Sequence, residues 1–322
     1  MQLYQNNRIL SRLPFSKNNG RQLRYCTLGL SAAFLILSAC NNPQVNKPLE
    51  GFDAQAHRGG RGLMPENTIA SEENAIHYNC TLEMDLQMSK DSQVVVSHDA
   101  YFNADFCLTP EGDSMTKKEG RSRLLFHMDY DSIRKYDVGI KPHPGFPRQK
   151  KIAVNRPLLS VLIDSVEAYA AKKNHVNHYN IEIKSSPKAD GVEYPDLKTY
   201  VDKSMAIIKQ KGIASRTMIQ SFDIRALKMV HEKYPDMQTS YLVGAKDTGS
   251  VASYLNNLGY EPAIFSPAYQ IVTPEMIRGF HEKGIRVIPW TPNTLSEIQQ
   301  LKDMGVDGVI TDYPDLFSQL RN

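Results

Sequence analysis

TLEMDLQMSKDSQVVVSH, residues 81–98, contains two runs with the side-chain patterns of β-strands. In the first run, residues 81–88, apolar residues alternate with Glu83 and Asp85, so the two carboxylates share one face of a strand. Only SKDS separates this run from the second, QVVVSH. A link that short cannot cross over to a parallel neighbour, whereas it can join an antiparallel pair. The stretch therefore predicts two strands arranged as a hairpin.

Strand-like and helix-like stretches alternate along the rest of the chain. The further strand candidates are FDAQAH (52–57), YNIEIK (179–184), TMIQSF (217–222), TSYLV (239–243), AIFSPA (263–268), RVIPWT (286–291) and GVITD (308–312). Helical periodicity is present at residues 71–78, 159–171, 197–211, 224–233, 274–283 and 295–304. Repeated strand–helix units predict a parallel sheet. Residues 52–322, roughly 270 in all, suit one (β/α)8 TIM-type barrel, and the hairpin accounts for the ninth strand candidate.

One long stretch interrupts this alternation. Residues 101–156 have little periodicity and include TPEGDSMTKKEGRSR and KPHPGFPRQKK. A loop of this length in a compact domain is usually functional or forms a small subdomain. We therefore expect an α/β fold, a distorted barrel with a small inserted lobe at about residues 101–156. Cys80 and Cys107 could pair in an oxidising compartment, but their spacing does not decide this.

The first forty residues have the pattern of a secretion signal. Lys17, Arg21 and Arg24 precede the apolar run LGLSAAFLILSA, which is shorter than the roughly 20 residues needed to span a bilayer. The run ends in LSAC, which resembles a bacterial lipobox. We expect residues 1–39 to be a lipoprotein signal peptide, Cys40 to be lipidated and residues 40–51 to be a tether. The alternative is an ordinary signal peptide with a chance cysteine.

The predicted signal also accounts for the positive net charge of the chain, which is +3. Residues 1–40 contain five basic and no acidic side chains, which leaves 33 Lys and Arg against 35 Asp and Glu. This balance does not favour nucleic acid as a partner. The expected partner is a membrane, through the lipid anchor in the bacterial cell envelope, periplasmic or outer-membrane in a Gram-negative cell. The sequence does not indicate an oligomeric state.

Three carboxylates occupy strand positions that a barrel shields from solvent. Glu182 and Lys184 share one face of YNIEIK, as Glu83 and Asp85 share one face of TLEMDLQM. A parallel barrel packs helices outside and an apolar core inside, so charged side chains are expected at the barrel mouth. Carboxylates gathered there need a countercharge, and oxygen ligands favour Mg²⁺ or Ca²⁺ over zinc. The alternative is a set of solvated carboxylates at a sheet edge.

Two histidines end predicted strands. His57 follows the first strand and His98 follows VVVS, so both are expected at the barrel mouth beside the carboxylates. Two imidazoles can act there as one general acid and one general base near neutral pH. The alternative for a single histidine at a strand end is a packing role. The glycines of QAHRGGRGLMPENT, residues 55–68, are expected to let the backbone approach a ligand closely.

These residues resemble the motifs of the glycerophosphodiester phosphodiesterase family. Eight short motifs occur in the same order over nearly the whole chain after residue 55. They are His57-Arg58-Gly59, Pro65-Glu66-Asn67-Thr68, Glu83-x-Asp85, Ser97-His98-Asp99, Glu182-Ile183-Lys184, Gln220-Ser221-Phe222-Asp223, Trp290-Thr291 and Thr311-Asp312-Tyr313-Pro314. The resemblance implies metal-dependent hydrolysis of a glycerophosphodiester to sn-glycerol 3-phosphate and an alcohol.

The resemblance also implies roles for individual residues. One divalent cation, Ca²⁺ or Mg²⁺, would be held by Glu83, Asp85 and Glu182. The remaining implied roles are acid–base catalysis for His57 and His98, phosphate binding for Arg58 and Lys184, glycerol contact for Trp290, and support of the site from behind for Glu66 and Gln220.

The alcohol part of the substrate and two alternative functions stay open at this point. Pro292 and the long, basic lobe depart from the family pattern, and such departures bear on substrate preference. One alternative is a metal-free, phosphoinositide-type phospholipase C on a similar barrel, which would not need all three carboxylates. The other is a non-catalytic lipid-anchored binding protein, which would be expected to have lost a histidine or a carboxylate.

Overall fold

A ring of parallel strands lies at the centre of the computed structural model, which describes residues 51–321. The strands are β1 (Asp53–Ala56), β2 (Thr81–Met88), β3 (Val94–Val96), β4 (Tyr179–Ile183), β5 (Thr217–Ser221), β6 (Gln238–Val243), β7 (Ile264–Pro267), β8 (Arg286–Val287) and β9 (Gly308–Thr311). Their order is β8-β7-β6-β5-β4-β2-β1-β9. The ring closes where the amide of Ile310 donates to the carbonyl of Pro289 at 2.9 Å. The predicted TIM-type barrel is confirmed.

One strand, β3, lies outside the ring, as the short SKDS link predicted. β3 pairs with the end of β2 in antiparallel orientation, with Leu86 opposite Val96 and Met88 opposite Val94. Because β2 extends beyond its parallel partners, Glu83 and Asp85 lie in its middle rather than at its end. The hairpin is therefore an addition to an eight-stranded barrel.

Helices follow most of the strands and cover the outside of the ring. They are α1 (Ile69–His77), α2 (Lys117–Ser122), α3 (Tyr130–Ile133), α4 (Leu159–Ala171), α5 (Leu197–Gln210), α6 (Ile224–Lys233), α7 (Val251–Leu258), α8 (Pro274–His281) and α9 (Leu295–Asp303). The sequence analysis missed α7 and the two short helices α2 and α3. In α7 a signal was present, because Ser250 caps its first turn and Gly259 ends it with φ 83°.

The stretch between β3 and α4 has a small hydrophobic core of its own. Its buried members include Phe102, Cys107, Leu125, Ile133 and Tyr136. Phe102 and Tyr136 stack with ring centroids 3.8 Å apart. Cys107 belongs to this cluster, whereas Cys80 belongs to the main core, and neither thiol forms a disulfide within residues 51–321.

Polar side chains occupy much of the barrel interior, where an apolar core was expected. Gln55 donates to Asp53 at 2.9 Å, and Asn180 donates to Gln55 at 2.7 Å and to Gln220 at 3.0 Å. Gln220 in turn donates to Glu83 at 2.6 Å. Buried polar groups are tolerated when they are hydrogen-bonded in this way. The chain of bonds connects the floor of the barrel to a carboxylate near its mouth.

The glycines that follow β1 allow close packing against other parts of the chain. A Cβ atom at Gly59 would lie 2.4 Å from Oγ of Ser71, and a Cβ atom at Gly62 would lie 2.3 Å from Cε1 of Tyr313. Gly59 also has φ 75°, a left-handed conformation that favours glycine. These glycines are therefore needed for packing against α1 and the segment after β9, and close approach of their backbone to a ligand stays a prediction.

Several predictions from the N-terminal sequence concern residues outside the described range. The signal peptide (1–39), Cys40 and the tether up to residue 50 are all in that part of the chain. Within residues 51–321, no helix combines the length and the apolar character required to cross a membrane.

Candidate active site

The first site element is the turn that directly follows β1. Arg58 has φ 53°, a left-handed conformation that is uncommon for a residue with a side chain. Its amide donates to Oε2 of Glu83 at 2.6 Å, and its carbonyl accepts from the amide of Asn67 at 3.1 Å. These bonds stabilise the unusual backbone and place His57 and Arg58 over the barrel mouth.

Glu83, Asp85 and Glu182 form a buried carboxylate cluster. Asp85 of β2 is directly opposite Glu182 of β4, and the three side chains each offer an oxygen within 4.8 Å of the others. Gln220 donates to Oε1 of Glu83, and Asn67 donates to Oδ2 of Asp85 at 2.9 Å. Oδ1 of Asp85 is buried and has no hydrogen-bond partner in the described part of the chain. A set of hard oxygen donors with one such free atom fits Ca²⁺ or Mg²⁺.

Two basic side chains neutralise part of this cluster. Arg58 Nε lies 3.3 Å from Oδ2 of Asp85, and Arg58 Nη1 lies 3.1 Å from Oε1 of Glu66. Lys184 Nζ lies 3.0 Å from Oε1 of Glu182 and 3.9 Å from Oδ1 of Asp85. Glu66 thus contacts Arg58, which in turn contacts the cluster.

Burial and mutual repulsion set the charge state of the carboxylates. Burial raises the pKa of Glu83 well above its ordinary value, and the charge of Asp85 adds to this effect. Burial likewise raises the pKa of Glu182, although Lys184 opposes the shift. For Asp85 the burial effect is outweighed by Arg58 and other nearby cations, which lower its pKa. A divalent cation among these oxygens would offset the repulsion that raises the first two values.

His57 is held by a carboxylate at the end of β9. Its Nδ1 lies 2.6 Å from Oδ1 of Asp312, which also accepts from Arg61 Nε at 2.7 Å. Asn293 donates to the other oxygen of Asp312 at 2.7 Å. Burial lowers the pKa of His57 to about 4, more than Asp312 raises it. The ring is therefore neutral at pH 7, and since a carboxylate can only accept, Nδ1 carries the proton and Nε2 keeps a lone pair.

His98 is more accessible and has its own carboxylate. Its side chain is 29% exposed, and its Nδ1 lies 2.9 Å from Oδ1 of Asp99. Asn103 donates to the other oxygen of Asp99 at 2.9 Å. Burial would raise the pKa of Asp99, but the hydrogen bond from His98 and the electrostatic interaction with that ring outweigh it and lower the pKa to about 2. His98 lines a cavity of about 250 Å³ together with Glu182 and Lys184.

Trp290 lies on another side of the mouth, beside Phe222. The two rings meet edge to face with centroids 5.4 Å apart, and Lys184 Nζ lies 5.9 Å from the centroid of Phe222. The indole Nε1 of Trp290 donates to the carbonyl of Ser266 at 3.2 Å. The structure thus connects Trp290 to the charged cluster through Phe222.

The fold brings the predicted site residues to one end of the barrel, from positions on or after β1, β2, β3, β4, β5 and β8. It also places beside them residues to which the sequence analysis gave no role. Asn67, Asp99 and Asp312 each hold a candidate site residue, and Arg61 contacts Asp312. Asp312 gave the same signal as His57, a polar residue directly after a strand. Asn67 gave no such signal, because its function is to hold the side chain of Asp85, which only the fold places beside it.

Known proteins match this chain over most of its length. Residues 57–316 match the model of the Glycerophosphoryl diester phosphodiesterase family. A glycerophosphodiester phosphodiesterase of Bacillus subtilis (strain 168) is 30% identical over 274 residues, which cover 83% of this chain and 85% of the relative. A relative of the same name from Caldanaerobacter subterraneus is 30% identical over 266 residues, which cover 82% of this chain and 96% of the relative.

Solved structures share the barrel. A crystal structure from Silicibacter pomeroyi DSS-3, assigned to the same family, has a TM-score of 0.75 at 27% identity and covers 86% of this chain and 95% of its own. A phosphodiesterase of Oleispira antarctica, solved with the product sn-glycerol-3-phosphate, has a TM-score of 0.64 at 21% identity, over 83% of this chain and 96% of its own. At that identity the second likeness concerns the fold alone.

Proposed function

The chain belongs to the glycerophosphoryl diester phosphodiesterase family, and on that premise we propose that it hydrolyses glycerophosphodiesters to sn-glycerol 3-phosphate and an alcohol. The observation that carries the proposal is the buried cluster of Glu83, Asp85 and Glu182. Around it stand two basic side chains and two histidines, each histidine paired with a carboxylate. This combination suits phosphodiester cleavage, which needs charge neutralisation and two proton transfers.

The carboxylate cluster would hold one divalent cation, Ca²⁺ or Mg²⁺. When bound, such a cation polarises a phosphoryl oxygen and stabilises the charge that develops on it. Asn67 and Gln220 keep one oxygen of Asp85 and one of Glu83 in place through hydrogen bonds. These supports leave Oδ1 of Asp85 available as a ligand atom.

Arg58 and Lys184 would neutralise the phosphate. The carboxylates of Glu66, Asp85 and Glu83 outweigh burial and raise the pKa of Arg58, so the guanidinium stays charged. Its Nε is buried and lies 3.3 Å from Oδ2 of Asp85 but makes no hydrogen bond within the described chain, so a small reorientation would let it donate to a phosphate oxygen. Lys184 also stays protonated, because the charges of Glu182 and Asp85 outweigh burial and raise its pKa.

His57 and His98 would move the protons. The neutral ring of His57, with Nδ1 bonded to Asp312, can accept a proton on Nε2 from the attacking hydroxyl. His98 lines the open cavity beside Lys184, where it can donate a proton to the leaving alcohol. Each such transfer typically accelerates a reaction by about 10²–10⁴-fold.

Neither alternative function accounts for these features. A metal-free phospholipase C has no use for three buried carboxylates in mutual contact. A non-catalytic binding protein has no use for two histidines that are each oriented by a carboxylate. Both alternatives are therefore less favoured than the hydrolase.

The proposal is tested by measuring glycerol 3-phosphate released from glycerophosphocholine, glycerophosphoethanolamine and glycerophosphoglycerol. We expect turnover that an excess of chelator abolishes and that Ca²⁺ or Mg²⁺ restores. Glu83→Gln should lose both activity and metal binding, while Glu73→Gln on the surface of α1 serves as the matched control. Full turnover in chelator would favour the metal-free alternative, and no turnover with any metal or substrate would refute the proposal.

We also propose that the protein is anchored in the bacterial cell envelope through lipidated Cys40. The support is the sequence pattern of residues 17–40 alone. An anchored enzyme would act on diesters that arise at or near a membrane.

A further inference from the structure

Arg61 joins the acid–base histidine of β1 to the inserted lobe, and the mechanism proposed above gives it no part. It lies in the turn after β1, where its amide donates to the carbonyl of His57 at 3.2 Å. Its guanidinium contacts both oxygens of Asp312: Nε donates to Oδ1 at 2.7 Å and Nη2 donates to Oδ2 at 3.4 Å. Oδ1 is also the oxygen that lies 2.6 Å from Nδ1 of His57. Arg61 and His57 therefore share one acceptor atom.

Arg61 supplies the positive charge that the buried carboxylate of Asp312 needs. The side chain of Asp312 is 1% exposed, and burial by itself would raise its pKa. The interactions with His57 and Arg61 outweigh burial and lower that pKa, so the carboxylate is ionised. The ring of His57 is neutral at pH 7, as described above. Among residues 51–321, Arg61 is then the one permanent cation that forms an ion pair with Asp312, and buried charges persist only when they are paired.

Two residues of the lobe, Phe146 and Gln149, form a clasp on Arg61. Cζ of Arg61 lies 4.8 Å from the centroid of the Phe146 ring, and Gln149 donates to the carbonyl of Arg61 at 2.7 Å. The Phe146 ring also meets Tyr313 edge to face, with centroids 6.4 Å apart. Because the clasp contacts both the side chain and the backbone of Arg61, it restricts the positions that the guanidinium can take.

The contacts of the Arg61 guanidinium favour a positioning role over direct binding of the phosphate. Two of its nitrogens contact Asp312, and the third, Nη1, lies 3.8 Å from Oε2 of Glu66. A planar fork on both oxygens fixes the rotation of a carboxylate, and Asn293 holds Oδ2 from another direction at 2.7 Å. With the carboxylate fixed, Oδ1 keeps a lone pair directed at Nδ1 of His57, which leaves Nε2 free to accept a proton.

We propose that Arg61 is a positioning residue that orients His57 through Asp312, and that the clasp of the inserted lobe supports catalysis by holding Arg61 in place. The inference rests on the proposed hydrolysis, in which His57 accepts the proton of the attacking hydroxyl. It gives the lobe a part in proton transfer although the lobe supplies none of the groups that move the protons at His57.

The first test measures kcat and KM on whichever of the three glycerophosphodiesters named above the wild type cleaves fastest. Arg61→Gln should lower kcat about tenfold with KM and metal affinity nearly unchanged, the size expected for one charge-assisted contact. Arg61→Lys should lose less, because an ammonium group keeps the charge but not the fork. Arg134→Gln removes one charge from an exposed lobe residue that pairs with Asp131, and this matched control should leave kcat unaltered.

Two double variants separate this positioning role from a general effect on folding. Because Arg61 acts through Asp312, Arg61→Gln should lower kcat no further when it is added to Asp312→Asn. Phe146→Leu alone should lower kcat about threefold through loss of the cation–π contact, and it should have no effect once Arg61 is replaced by glutamine. Urea unfolding shows which variants are folded under assay conditions, and Arg61→Lys and Phe146→Leu carry the test if Arg61→Gln is not.

An unchanged kcat, or independent losses from Arg61→Gln and Asp312→Asn, would overturn the inference. A raised KM with constant kcat would do the same, because it would make Arg61 a substrate-binding residue. If the wild type cleaved no diester, the proposed function would fail, and NMR of the His57 ring with nitrogen-15-labelled histidine would decide the positioning role separately. The Nδ1 signal, identified by its loss in His57→Gln, should shift in Arg61→Gln and not in Arg134→Gln; an unshifted signal in Arg61→Gln would refute the role.

Discussion

Glu72 is a carboxylate that the protein buries without a partner. It lies in α1, which packs against β2, and its side chain is fully buried. Neither of its carboxylate oxygens has a hydrogen bond to any residue in the range 51–321. Burial, with smaller effects from Glu83 and Asp85, raises its pKa well above the ordinary 4.5. We therefore predict that Glu72 holds its proton more tightly in the folded protein than in the unfolded chain and that replacing it by methionine stabilises the fold.

The size of the effect follows from the protonation equilibrium. A folded-state pKa above the unfolded value gives stability that is present at low pH and is lost as pH rises through the folded pKa. At a pH above both values, each unit by which the folded pKa exceeds the unfolded one costs the wild type about 1.4 kcal/mol, and the cost begins once the pH rises above the ordinary value of 4.5. Removal of a buried, unpartnered polar group contributes a further gain of about 1–3 kcal/mol at either pH.

Urea unfolding at pH 5, 6 and 7, in constant chelator, measures this difference directly. The advantage of Glu72→Met over wild type should grow from pH 5 to pH 7, by at most about 1.4 kcal/mol per pH unit because a single proton is involved. Glu73→Gln, at a partly exposed position next along α1, should show no such growth. A pH-independent difference would mean that Glu72 is ionised in the folded state, and a destabilised methionine variant at every pH would mean that the carboxylate makes a stabilising contact.

Three further predictions concern the site and its location. His57→Ala and His98→Ala should each lower kcat by at least about 10²-fold with little change in metal affinity. An activated aryl ester should rescue His98→Ala but not His57→Ala, because a good leaving group needs no general acid. Near-normal rates for His98→Ala on natural diesters would make it a packing residue. Asp312→Asn should lower kcat with KM nearly constant, because the charged partner of His57 Nδ1, which stabilises the protonated ring, becomes a neutral amide, and an unchanged pH–rate profile would contradict that role. Cys40→Ala should release the protein from the membrane fraction; unchanged processing and membrane association would rule out lipidation.

Local sequence patterns predicted the barrel because its strands and helices differ in period. Alternation over residues 81–88 placed Glu83 and Asp85 on one face, and the four-residue link to β3 required an antiparallel pair. Both features depend only on residues that are close together in the sequence, so they could be recognised without the structure. The same reasoning missed α7, although both of its caps were present in the sequence.

Contacts between distant residues were decided by the tertiary structure. Asp312 and His57 are 255 residues apart, and Gln220 and Glu83 are 137 apart, yet each pair lies within hydrogen-bond distance. Residue types and family motifs could indicate that these side chains matter, but no local period states which of them meet. The strand register and the closure of the ring decide that, because they alone bring the ends of β1, β2, β4, β5 and β9 to one mouth. For the same reason the polar barrel interior and the packing of Gly59 and Gly62 against other segments follow from the fold and not from the sequence alone.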